Sequence, residues 1–354
     1  MARTALVLTD QSARQWEEAW KAGSRPSALP YGIEHLREQS WRLKHLERPV
    51  HGPVGTKLRN VVEHRLGYPI PAPGAFVKQM KAVDVVIGML EPQAFAVASL
   101  RRRGIPPLRR SKVVALTCWS GETLRSGGSE QVRREVARLA GIDRLYVFSE
   151  NQVGIFEEHG IDRDRVIPVR YGIDVDFYRD RGVERDIDLL AVGHDRGRDY
   201  GTLFEAIEGL DVRLTLVAKH ANIKGLRVPS NVDFLGQVPH TKYRSLLHRA
   251  RVVAVPTREL AYPTGQSVAL EASAAGAGVI VTGTEAMSEY FIDGHNALCP
   301  PVGDAAAWRE AVIAALSNEK ETRARANRAR IFVESECSTQ QMWHSIAEDL
   351  DDLL

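Results

Sequence analysis

Short apolar runs alternate with longer helical patterns along most of this 354-residue chain. Thr4–Leu8, Ala82–Ile87, Lys112–Leu116, Arg144–Phe148 and Val166–Val169 read as strands. Asp188–Val192, Arg213–Ala218, Val232–Leu235, Val252–Val255 and Gly278–Val281 read the same way in the second half. The runs between them have helical spacing: Gln93–Arg103, Tyr200–Leu210, His240–Arg249, Ser267–Ala275, Met287–Phe291 and Ala305–Ser317. Ser149 is placed to cap a further helix that runs to about His159, where Gly160 would stop it. Thr339–Leu354 puts Met342, Trp343, Ile346, Leu350 and Leu353 on one helical face. Continuously apolar strands alternating with helices predict parallel sheets covered on both faces. Residues 11–74, with several prolines and glycines, give no ordered set of elements.

The length fits two domains at roughly 150 residues each. A polar stretch, Asp176–Arg185, marks the expected boundary, giving an N-terminal unit over 1–176 and a C-terminal one over 177–338, with the helix 339–354 returning to the first. Hydrophobic residues make up 44% and charged residues 26%. That mix excludes a disordered or collagenous chain. No stretch approaches the roughly 18 apolar residues of a membrane span. The opening run Met1–Asp10 reads as a first strand and not as a signal peptide. Cys118, Cys299 and Cys337 are far apart and form no CxxC pair. This argues against a cysteine zinc site and suits a reducing cytoplasm.

The net charge of +2 conceals an asymmetry. Residues 1–150 hold 24 Lys/Arg against 14 Asp/Glu, a net +10, whereas residues 151–354 hold 23 against 31, a net −8. The basic half is read first as a solvated face. Its sharper reading is an anionic partner, either a phosphorylated acceptor or an acidic membrane surface. Nucleic acid is not expected, because no nucleic-acid-binding motif is visible.

Three loops at strand ends are suited to anions. In Pro256–Ala275 the strand Val252–Val255 gives way to a loop with Pro263 and Gly265, and a helix opens at Gln266-Ser267. A glycine at such a turn lets backbone N–H groups approach a phosphate, which the helix N-terminus favours. Glu271 lies just inside that helix and could accept two ribose hydroxyls; the plain alternative is a solvated helix position. In Val192–Tyr200 another strand ends at Gly193, followed by His194, Arg196 and Arg198. Arginine suits bidentate diphosphate contact. Lys219 and His220 follow the strand Arg213–Ala218. There is no GxGxxG, GxxxxGK[ST], GxSxG or HExxH. His240 and His248, eight apart on one helix, read as surface or core positions and not as metal ligands.

Several ordered motifs resemble a family 4 glycosyltransferase of the GT-B architecture. They are Asp143–Glu150 with Leu145 in a valine place, Gly172-Ile173-Asp174 with Tyr178 in a phenylalanine place, Val232–Val238, Gly265–Ala272 and Asp293–Asp304. The resemblance implies an α/β fold of two Rossmann-like domains facing across a cleft. It implies a retaining, metal-independent hexosyl transfer from a nucleoside-diphosphate sugar, UDP- or GDP-linked, to an acceptor hydroxyl. By the resemblance Glu271 would hold the ribose, and Gly265, Gln266 and Ser267 the diphosphate and sugar. Arg198 falls near the family's phosphate-binding lysine, His194 stands where a phosphate arginine often stands, and Gln237 and Val238 would back the nucleobase. Arg198 and Lys219 would stabilise the leaving diphosphate, with Arg196 nearby.

The chain departs from the family at named places. Pro263 stands where a first glutamate is expected, with Glu259 the nearest acid. Trp119 stands closest to a first-domain histidine, and Asp10–Gly23 shows no glycine-rich acceptor loop. These departures leave a second reading, a nucleotide-sugar-binding scaffold or regulatory subunit. No cofactor is expected beyond the donor substrate. The acceptor is a small molecule, a lipid-linked intermediate or a glycan, with peripheral membrane contact and a cytoplasmic location as further expectations.

Overall fold

The computed structural model describes residues 3–46, 57, 59–61, 63, 69, 76, 78–106 and 108–354. Part of the 11–74 stretch therefore lies outside the described residues. The chain forms two compact units. One comprises Met1–Gly23, Ser27–Val169 and Gln340–Leu354; the other comprises Ser24–Pro26 and Arg170–Thr339.

The first unit holds a six-stranded parallel sheet. Its strands are β1 (Thr4–Leu8), β2 (Arg42–Leu46), β3 (Val85–Gly88), β4 (Lys112–Thr117), β5 (Arg144–Val147) and β6 (Val166–Pro168), in the order β2-β1-β3-β4-β5-β6. Leu6 pairs with Val86, and Val86 with Val113, so the central strands are apolar on both faces. Residues such as Leu6, Val97, Val113 and Phe156 are fully buried between sheet and helices. The helix Thr339–Leu353 belongs to this unit from Gln340 onward. It buries Met342, Trp343, Ile346 and Leu350. Its polar groups are matched too: Trp343 Nε1 donates to the Tyr31 carbonyl at 2.7 Å, and Asp349 accepts from the Tyr146 hydroxyl at 2.8 Å.

The second unit holds a five-stranded parallel sheet. Its strands are β7 (Ile187–Val192), β8 (Leu214–Val217), β9 (Val232–Phe234), β10 (Ala250–Val255) and β11 (Gly278–Val281), in the order β11-β10-β7-β8-β9. Counting from β7, the first three strands run outward on one side and the last two on the other. The sheet thus reverses its winding between β7 and β10. In open α/β sheets the crevice outside the carboxyl ends of the strands at such a reversal is where ligands bind.

Some expectations need correction. Ser149 does not cap the helix Asn151–Glu158 with its side chain; its hydroxyl accepts from Gln152 Nε2 at 3.0 Å instead. Met287–Phe291 is not an α-helix; a 3-10 turn, Glu285–Met287, stands there. The 18-residue helix Glu319–Glu336 has no counterpart among the expected elements. It buries only Thr322, Ala326, Ala329 and Val333, spaced four, three and four apart, so its apolar stripe consists mainly of small residues.

Trp343 is fully buried and donates to the Tyr31 carbonyl. Trp343→Ala should destabilise the protein by about 3–5 kcal/mol, read as a lower denaturant midpoint. Trp343→Phe should cost clearly less.

Candidate functional site

The switch point of the second sheet is built by two loops. One follows β7 and runs from Gly193 to Asp199; the other follows β10 and runs from Pro256 to Gly265. They are zipped together: Arg258 N donates to the Gly197 carbonyl at 2.8 Å, and Asp199 N to the Pro256 carbonyl at 3.0 Å. Asp195 ties the far end. Its carboxylate accepts from Thr264 Oγ1 at 2.9 Å, the Tyr262 hydroxyl at 3.1 Å and Gly197 N at 2.7 Å. The Tyr200 hydroxyl donates to the Gly193 carbonyl at 2.9 Å and holds the first loop from below.

This frame places the Arg198 side chain inward, only 6% exposed. Its Nε and Nη1 are buried and have no hydrogen-bond partner. A buried cation without a partner is costly and asks for an anion. Two glycines make room for it. A Cβ on Gly193 would lie 1.9 Å from Arg198 Nε, and one on Gly265 would lie 2.4 Å from Nη1. Gly265 also has φ +88°, a left-handed conformation that favours glycine. It caps the helix Gln266–Ala274. The first-turn N–H groups of Ser267 and Val268 therefore open beside the guanidinium, at the positive end of the helix dipole.

These groups line a cavity of about 620 Å³, together with His194, Asp195, Val238, His240, Tyr243 and Glu271. Ser267 and Glu271 are four apart and share one helix face. The Glu271 carboxylate accepts from the hydroxyl of Tyr243, and the Tyr178 hydroxyl is paired with His240 Nε2 at 3.0 Å. Burial pushes its carboxyl up to about 7, with the two phenols pulling the other way. Burial also lowers His194, with Lys219 and Arg198 adding to the effect, so it is a neutral ring at the cavity rim. Anionic charge can thus bind at one end of the cavity, and hydroxyl groups can be accepted at the other.

No match emerged among curated proteins. Residues 217–332 match the family described as glycosyl transferases group 1. The structure is similar to HepE from Anabaena solved with UDP-glucose (TM-score 0.71, 13% identity, 99% of each chain covered). It is also similar to sucrose-phosphate synthase from Thermosynechococcus elongatus (TM-score 0.71, 16% identity, 100% of this chain and 98% of that one). A glycosyltransferase from Rickettsia africae is a further likeness (TM-score 0.63, 14% identity, 99% and 98% covered). The chain has the GT-B fold.

Within this GT-B chain the cavity gathers six of the ten expected site residues: His194, Arg198, Val238, Gly265, Ser267 and Glu271. Four are not in its lining. Arg196, Lys219 and Gln237 are exposed, and Gln266 is buried with its Oε1 unpartnered. Lys219 N donates to Asn222 Oδ1 at the start of the short helix His220–Ile223. Its charge still reaches His194. Asp195, His240, Tyr243 and Tyr178 were not singled out as site residues. Asp195 directly precedes Arg196 and stands three residues before Arg198, so the loop sequence held that signal. His240, read as surface or core, stands in the cavity wall. Pro263 is buried in the Tyr262–Thr264 turn. Among the described residues no group of three His, Cys, Asp or Glu side chains is placed to hold a metal ion.

In the first unit the loop after β4 is fixed by a carboxylate. Glu91, buried, accepts from the N–H groups of Cys118, Trp119 and Ser120 at 3.2, 2.6 and 2.8 Å. Trp119 is 38% exposed beyond them.

Two outcomes should follow. Gly193→Ala drives a methyl into the guanidinium, so affinity for inorganic pyrophosphate should fall about tenfold or more by calorimetry. Glu271 releases its proton later in the folded than in the unfolded protein. Its contribution to stability should therefore be full below about pH 4.5 and be lost as pH rises through about 7. The melting temperature of the wild type, measured against Glu271→Gln across that window, should show this decline.

Proposed function

We propose that this protein is a retaining, metal-independent hexosyltransferase of the family 4 type. It would move a sugar from a nucleoside-diphosphate sugar, UDP- or GDP-linked, to an acceptor hydroxyl. The observation that carries this reading is the buried, unpartnered Arg198 guanidinium beside the N-terminus of Gln266–Ala274. When the glycosidic bond breaks, the departing diphosphate gains charge at its terminal phosphate. Arg198 and the amides of Ser267 and Val268 would receive that charge, with Lys219 nearby in solvent. Preorganised donors of this kind stabilise a transition state without reorganising at the moment of reaction. Glu271 would accept hydroxyls of the ribose, and Val238 would support the base. The UDP and UDP-glucose bound to HepE support a nucleotide donor in the corresponding fold.

The test is thermal stabilisation by UDP, GDP, ADP and their glucose or mannose conjugates. A bound donor at a hundredfold excess over Kd should stabilise by about 2.7 kcal/mol. Arg198→Ala should lose that stabilisation and lower turnover by about 10²–10³-fold. NMR of the first-formed product should show the donor's anomeric configuration retained. Binding without turnover across an acceptor screen would overturn the enzyme reading in favour of a scaffold; no binding at all would overturn the donor site.

A further inference from the structure

Ser24–Pro26 belongs to the second unit, although the chain on either side of it belongs to the first. Both ends of this short segment are fixed. Before it, the helix Ala13–Lys21 ends and Gly23 N donates to the Trp20 carbonyl at 2.8 Å. After it, Ser27 is buried. Its carbonyl accepts from Trp16 Nε1 at 2.9 Å, and its hydroxyl donates to the Leu29 carbonyl at 2.7 Å. The N–H groups of Ala28 and Leu29 then donate to the Glu34 carboxylate at 2.6 and 3.1 Å. Arg25, the middle residue of the three, is half-buried and lines the same cavity as Arg198 and Glu271.

The charges of that cavity wall can be counted. Its lining holds two carboxylates, Asp195 and Glu271, and two guanidiniums, Arg25 and Arg198. The carboxylates are engaged by neutral donors: Asp195 by Thr264, Tyr262 and Gly197, and Glu271 by Tyr243. The two histidines add no charge at neutral pH. Burial lowers His194, and burial, with the charges of Arg25 and Arg244, pushes His240 down to about 4. With Arg25 the guanidiniums balance the acids, and the start of Gln266–Ala274 tips the cavity positive. Without Arg25 the acids outnumber the one cation left.

An anionic ligand sets how much positive charge is needed. A diphosphate that joins a nucleoside to a sugar carries about two negative charges, and its terminal phosphate gains more when the sugar leaves. Arg198 offers one positive charge and the helix start roughly half of another. An anion drawn out of water with too little counter-charge is strongly disfavoured. Arg196 and Lys219 are exposed and outside the lining. Arg25 is the other cation that the lining contains, and its planar fork suits phosphate oxygens.

We propose that Arg25 is a donor-binding residue, the second cation that shares the diphosphate of a nucleotide sugar with Arg198 and the start of Gln266–Ala274. This rests on reading the cavity as the nucleotide-sugar site. The charge expected of Lys219 is thus supplied from near the beginning of the chain, by a residue that no motif marks.

The experiment measures binding of inorganic pyrophosphate and UDP by calorimetry, and of uridine by ligand-observed NMR, on the whole protein. Arg25→Gln removes the charge and keeps a polar side chain. It should lower the affinity for pyrophosphate and for UDP by about tenfold each and leave that for uridine unchanged. Arg25→Lys keeps the charge without the fork and should recover part of the loss. Added salt should weaken UDP binding more in the wild type than in Arg25→Gln. Unchanged pyrophosphate and UDP affinities in Arg25→Gln would overturn the proposal. So would a loss as large for uridine as for UDP, which would put the guanidinium on the base. If Arg25→Gln weakens pyrophosphate while no nucleotide binds even the wild type, Arg25 stands as an anion ligand and the donor reading is overturned instead. A wild type that binds neither pyrophosphate nor UDP would overturn both. Should Arg25→Gln fail to fold, Arg25→Lys decides: its loss should be seen with UDP and pyrophosphate and not with uridine.

Discussion

The second unit is organised around one unmet charge. Arg198 is buried with two guanidinium nitrogens unpaired, and that is tolerated only because much else holds it there. Gly193 and Gly265 lack the side chains that would displace it. Asp195 accepts from Arg198 N through its carbonyl at 3.2 Å and, through its carboxylate, pins the loop at Thr264, Tyr262 and Gly197. The strands below are ordinary; the restraint lies in the two loops they end in. Strain of this kind is held by its surroundings and is most often found where a ligand completes the arrangement.

Much of this was legible in the chain. The strands of both sheets announced themselves as unbroken apolar runs, because each is covered on both faces and needs no polar side. Gly193 and Arg198 stood out in the loop that follows one such run, Gly265 and Ser267 at the loop-to-helix turn that follows another, and Glu271 one turn into that helix. What was not legible is instructive. The helix Glu319–Glu336 hid because its buried stripe is mostly alanine and threonine amid charge. Tyr178, His240 and Glu271 sit far apart in sequence and come together only through the packing of three helices. No spacing rule joins them. Lys219 shows the opposite error: the right loop and the right charge, but a side chain turned to solvent.

The charge asymmetry also looks different with the fold in hand. The acidic half of the chain carries the cationic cavity. Surface pairs within it, such as Arg213 with Asp233 and Arg249 with Asp186, cancel and leave its net charge as it is. Exposed pairs of this kind contribute little. Net charge over a hundred residues therefore says nothing about the sign of a site that a single buried arginine and one helix end define.

The two units meet the same problem in opposite ways. Each has a helix that follows an interior parallel strand, after a short turn in the first unit and a ten-residue loop in the second, with N–H groups that its own turns cannot satisfy. In the first unit the start of Ser120–Ser126 is closed from within: the Glu91 carboxylate takes the N–H groups of Cys118, Trp119 and Ser120, and burial raises it while those donors draw it down. An anion is already built into that end, so a second one has no place beside it. In the second unit the start of Gln266–Ala274 has no carboxylate against it, and a buried guanidinium stands there in its stead. The same backbone geometry is thus satisfied internally in one unit and left for a ligand in the other. That contrast turns on two side chains, Glu91 and Arg198, and it sets which end of which sheet can receive a phosphate.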